Sequence, residues 1–127
     1  MLKDSQAFSG FAVKDLEAAK KFYSETLGQD VRYGPMGIME IHVAGGATVM
    51  VYPKDDHVPA TYTMLNFPVS DIDAAVDELT AAGVKMEQYG RADMPQDAKG
   101  IARDPQGPAI AWFKDPSGNI IAVLQTN

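Results

Sequence analysis

Apolar residues fall at helical spacing in two stretches and in short strand-like runs elsewhere. In the first stretch, Leu16, Ala19, Phe22, Tyr23 and Leu27 share one face behind Asp15, a helix-capping residue, and the pattern stops at Gly28. In the second, Ile72, Ala75, Val76 and Leu79 follow Asp71 and end at Gly83. Strand-like runs occupy 6–13, 30–33, 38–43 and 48–52 around the first helix. Others occupy 62–69, 85–89, 109–113 and 120–124 around the second. Turn signals separate them at Gly34-Pro35, at Ala44-Gly45-Gly46 and at Asp115-Pro116-Ser117-Gly118, the last suited to a type I turn closing a hairpin. The order strand, helix, three strands is therefore predicted twice.

The residues themselves repeat. Phe11, Val13, Asp15, Ala18 and Ala19 reappear in the same register as Phe67, Val69, Asp71, Ala74 and Ala75. This predicts one domain over 1–127, built of modules at about 6–53 and 61–126 with the polar, proline-bounded stretch 54–60 as linker. A site is expected where the copies face each other. The second copy also carries a long insertion, Gly90–Gly107, where the first has only Gly34–Gly37. Such a segment is read either as a lid or as a passive surface excursion. Within it, Lys99 either reaches over a cavity mouth or is a solvated loop lysine.

Composition narrows the partners. A net charge of −6 and a pI near 4.7 repel phosphate backbones and anionic lipid, so no nucleic acid and no membrane is expected as a partner. Runs of apolar residues are too short to span a bilayer, and Met1-Leu2-Lys3-Asp4-Ser5 lacks the apolar core of a signal peptide. The absence of cysteine removes disulfides, thiol nucleophiles and thiolate metal sites and fits a reducing cytosol, so a cytoplasmic location is expected. No phosphate-cradling glycine loop, nucleophile elbow or dinucleotide fingerprint is present. A small-molecule ligand is the partner left.

The duplicated unit, with Val13-Lys14-Asp15-Leu16-Glu17-Ala18-Ala19 and Phe22-Tyr23 after the first strand and Asp115-Pro116-Ser117-Gly118-Asn119 before the last, resembles the vicinal oxygen chelate superfamily. That group includes glyoxalase I, extradiol dioxygenases, and fosfomycin- and bleomycin-resistance proteins. The resemblance covers about 8–125 and implies an α+β fold: tandem βαβββ modules forming curved sheets around a cup, the glyoxalase/bleomycin-resistance/dioxygenase fold. It also implies a homodimer. It does not by itself assign a reaction, since one scaffold carries many.

Metal-dependent members place ligands five residues before the Val of the strand-to-helix motif and on the fourth strand of each copy. Those positions are here Phe8, Met64, Ala122 and, aligned to within one residue, Met50. Phenyl and methyl groups cannot ligate a hard or borderline ion and a thioether does so poorly. No metal and no other cofactor is therefore expected. The apolar replacements suggest a ligand pocket formed by Phe8, Met50, Tyr52, Met64, Asn66, Trp112 and Ala122, with Tyr89 a further stacking surface. The competing reading is a cup filled in as core. The chain is thus read as binding a small, partly apolar molecule without the superfamily's usual metal centre. The alternative is a lyase or dioxygenase with a non-standard metal or acid/base site at Glu40 and His42, the candidate catalytic pair. These two residues also read as the polar face of an alternating strand.

Overall fold

The computed structural model describes residues 1–126. The chain divides into two compact units, the first ending at His57 and the second beginning at Val58. Among the described residues, no helix is long and apolar enough to cross a membrane.

In the first unit, strand β1 (Ser9–Val13) leads into helix α1 (Leu16–Lys21). Asp15 caps the helix as expected: its carboxylate accepts from the Ala18 amide at 3.1 Å, satisfying an amide that the first turn leaves open. The predicted helix continues to Leu27, but its last part is a π-helical turn, Phe22–Thr26, in which the Leu27 amide reaches back to the Phe22 carbonyl. Strands β2 (Asp30–Tyr33), β3 (Met39–His42) and β4 (Thr48–Pro53) complete a sheet of order β1-β4-β3-β2, with β1 and β4 parallel. Alternation sorts its faces. Met39, Ile41, Val49 and Val51 are buried, as are Val13, Ala19 and Tyr23, whose ring lies 5.8 Å from Phe11. The opposite face carries Glu40 and His42 on β3 and Met50 on β4, all half-buried.

The second unit repeats the opening: β5 (Thr63–Val69), then α2 (Ile72–Ala81), capped by Asp71 on the Ala74 amide at 3.1 Å. Strands β6 (Ala109–Lys114) and β7 (Ile120–Gln125) give a three-stranded sheet of order β5-β7-β6. The strand expected at 85–89 does not form, which corrects the second module to βαββ. The insertion explains why. The Glu87 amide pairs with β6, on the Trp112 carbonyl. The Tyr89 amide instead donates to the side chain of Gln96, whose own amide donates to the Glu87 and Gly100 carbonyls. Further along β6, Ala102 of the insertion pairs with Ile110. A side chain from 90–107 thus takes the hydrogen bonds a regular ladder needs.

The insertion is anchored at its centre, at 100–102, while most of its other residues are exposed. Ile101 and Ala102 are buried, and the charged groups around them bind α2. Arg103 donates to both oxygens of Asp73 at 2.9 Å, and Lys99 lies 2.9 Å from Asp77 and 3.7 Å from Asp73. Lys99 is therefore an ion-paired residue on the α2 surface. Arg103, through hydrogen bonding first, holds the Asp73 carboxyl below its ordinary value of 3.8, against an opposing push from burial. A carboxyl depressed on folding stabilises the fold above its unfolded pKa and loses that contribution as pH falls through the folded one. The urea midpoint is therefore expected to hold from pH 7 to 5 and to decline below about pH 4, with Asp73→Asn declining less. Equal declines in the two proteins would show that this clamp contributes nothing.

Candidate functional site

Strand pairing settles the alignment between copies. Gly10 and Asn66 are matched in the repeat. Gly10 lies opposite Met50, and Asn66 lies opposite Ala122. Met50 and Ala122 are therefore equivalent. One strand further, Glu40 pairs with Met50 as Trp112 pairs with Ala122. The same position in two copies carries a carboxylate in one and an indole in the other.

The first unit opens a cleft of about 650 Å³, within the range of small-molecule sites. Phe8 and Met50 line it with Met36, Ile38, Val49 and Glu40. Phe8 and Met36 stand out into solvent, 68% and 93% exposed, where an apolar ligand would cover them. Met36 has φ 66°, a left-handed conformation uncommon for a side chain other than glycine, inside the short 3₁₀ turn Pro35–Gly37. Rim residues 34–38 read in the sequence only as a turn. Their place beside Met50 depends on β2, β3 and β4 pairing across the sheet.

Glu40 and His42 are brought together, 3.1 Å between Glu40 Oε1 and His42 Nε2. In the tautomer that makes this bond to a carboxylate, His42 donates through Nε2 and Glu40 Oε1 accepts. Across the strand from Glu40, Arg32 is forked onto Asp30 at 2.8 and 3.2 Å. That guanidinium, by hydrogen bonding first, holds the Asp30 carboxyl below its usual value, and the nearby His42 adds to the effect. The Gly34 backbone lies under Glu40: a Cβ at this glycine would sit 2.9 Å from Glu40 Oε2.

The second unit treats its equivalent positions differently. Trp112 is nearly buried, donates through Nε1 to Thr63 Oγ1 at 3.1 Å, and meets the Tyr89 ring edge-on at 5.5 Å. Ala122 has no exposed surface. It packs with Ala102 and Trp112, and Met94, Ile110 and Ile120 close around them. The room expected beside this small side chain is taken by Ala102 and Met94 of the insertion, so Ala122 is core and does not line an opening. A smaller pocket of about 250 Å³ lies nearby, lined by Tyr62, Thr63, Tyr89, Arg91, Met94 and Trp112 among others. Met64 sits at a register shift between Thr63 and Leu65, and Asn66 and Tyr52 are exposed. Tyr52, Met64 and Asn66 line neither of these two openings.

The donor chemistry bears on a metal. Phe8, Met50, Met64 and Ala122 offer no side-chain oxygen or nitrogen, so they do not fit the divalent centre of metal-dependent relatives. Among the described residues, no group of three or more His, Cys, Asp or Glu side chains is arranged to hold an ion.

Comparison with known proteins agrees with this architecture. The family model of the Glyoxalase/Bleomycin resistance protein/Dioxygenase superfamily matches residues 7–123. The fosfomycin resistance protein FosX from Listeria monocytogenes is similar with a TM-score of 0.73 at 16% identity, over 98% of this chain and 94% of its own. A superfamily member from Sphaerobacter thermophilus gives 0.70 at 23% identity, over 94% and 97%. TnmS3, an antibiotic binding protein from a Streptomyces species, gives 0.69 at 23% identity, over 98% of each chain. At such identities these likenesses speak for the fold. No curated protein matches the sequence.

Proposed function

The chain belongs to the Glyoxalase/Bleomycin resistance protein/Dioxygenase superfamily, and from that premise we propose that it binds a small, partly apolar molecule without the usual metal centre. One observation carries this reading: the cleft of the first unit has Phe8 and Met50 on its wall, at positions where metal-dependent relatives carry ligands. Aromatic and thioether groups give area and adaptable shape, which a sequestering protein needs and a Lewis-acid centre does not. The similarity to an antibiotic binding protein and to a fosfomycin resistance protein supports a binding or resistance role. On family resemblance the protein works as a cytoplasmic homodimer.

Thermal-shift titration with a panel of aromatic and alicyclic antibiotics, with fosfomycin as a small polar comparator, tests the reading. A ligand at about a hundred times its Kd stabilises the fold by about 2.7 kcal/mol, several degrees in Tm for a chain of this size. A panel that leaves Tm unchanged throughout counts against a binding protein.

The hydrogen bond between Glu40 and His42 supports a second reading, an acid/base or non-standard metal enzyme of the lyase or dioxygenase kind. Stoichiometric Zn, Ni, Mn or Fe that is retained after purification and lost in His42→Ala would favour it over the metal-free reading.

A further inference from the structure

The first unit's cleft presents a single charge to whatever enters it. Among the described residues, Glu40 is the one ionisable side chain on its wall; Gln6, Ser9 and Thr48 add neutral polar atoms, and the rest is apolar or backbone. On the reading that this cleft is the ligand site, we propose that its ligand is a small organic cation: a protonated amine on an apolar body, with the amine at Glu40 Oε2.

The two carboxylate oxygens are differently engaged. Oε1 accepts from His42, while no hydrogen bond from a described residue reaches Oε2. Gly34 lets the carboxylate lie close over the backbone, where a Cβ would be 2.9 Å from that oxygen. Arg32 lies opposite Glu40 on the neighbouring strand, but its guanidinium is hydrogen-bonded to Asp30. Asp30 and Arg32 offset each other in their ion pair, and Glu40 is the side chain that brings a carboxylate to the cleft. The Glu40 side chain is 35% exposed, so water screens it only partly and its attraction for a cation is stronger than on an open surface. An anion would meet this carboxylate with no lysine, arginine or histidine on the wall to offset it. The Phe8 ring and the thioethers of Met36 and Met50 supply polarisable contacts that suit a cation and its hydrocarbon body alike.

The test compares 1-naphthylmethylamine with 1-naphthylmethanol, matched in shape and differing in charge. Titrations are followed by NMR through the methionine methyl signals. The amine is expected to bind about tenfold tighter than the alcohol or better, and Glu40→Gln to remove that advantage. Gly34→Ala, which presses on the carboxylate, is expected to weaken the amine selectively. If the alcohol binds as well as the amine and Glu40→Gln alters neither, the cation inference is overturned and the small-molecule reading stands. If neither compound perturbs Met50, the cleft itself is not a ligand site, and the inference falls with the reading beneath it.

Discussion

Asp115→Ala is expected to cost about 3 kcal/mol of folding stability, and so to lower Tm by about 10 °C. Asp115 is 4% exposed and organises the turn joining β6 and β7. Its Oδ1 accepts from the Ser117 amide at 2.8 Å and the Asn119 amide at 3.0 Å, and Oδ2 accepts from Asn119 Nδ2 at 2.9 Å. The Gly118 amide closes the turn on the Asp115 carbonyl. Alanine would strand these donors in a place that water reaches poorly, which costs more than the bonds themselves are worth. The hairpin sets the register of Trp112 against Ala122, so its loosening is expected to show also in the indole environment. Chemical denaturation followed by tryptophan fluorescence measures both; a loss under 1 kcal/mol would mean that the turn forms without its carboxylate.

A larger effect is expected from restoring a family-style ligand in the second unit. Ala122→Glu should destabilise by about 4 kcal/mol or more, leaving little folded protein, because the new carboxylate would be buried against Trp112 and Ala102 with no partner. Met50→Glu, at the equivalent position of the first unit, should cost less, about 1–2 kcal/mol, since Met50 lines an open cleft where a carboxylate reaches water and the like charge of Glu40 on the paired strand is what opposes it. Soluble yield and urea midpoints of the two variants give the comparison. An Ala122→Glu protein with wild-type stability would mean that space remains beside Trp112.

Much of this fold was legible along the chain because its signals are local. Helix caps at Asp15 and Asp71, glycine stops, alternation in β3 and β4, and the Asp-Pro-x-Gly turn each depend on residues within a few positions of one another. The strand at 85–89 was not legible correctly. Its place in the repeat suits a strand, but Gln96, several residues away, supplies the competing hydrogen bonds. The Glu40–His42 contact followed from their two-residue spacing. The rim at 34–38 did not, since nothing local to a turn says which sheet face it will stand beside.

By itself the sequence determined the duplication, the order of most elements, the family resemblance, and the absence of ligating side chains at Phe8, Met50, Met64 and Ala122. These rest on residue type and short-range spacing. Only the tertiary structure decided that equivalent positions differ in fate: Met50 stands in an open cleft beside a charged Glu40, and Ala122 is sealed beneath Trp112 and the insertion. Burial is a property of what packs against a residue. For Ala122 that cover comes from Ala102 and Met94, which the chain brings back from far along its length.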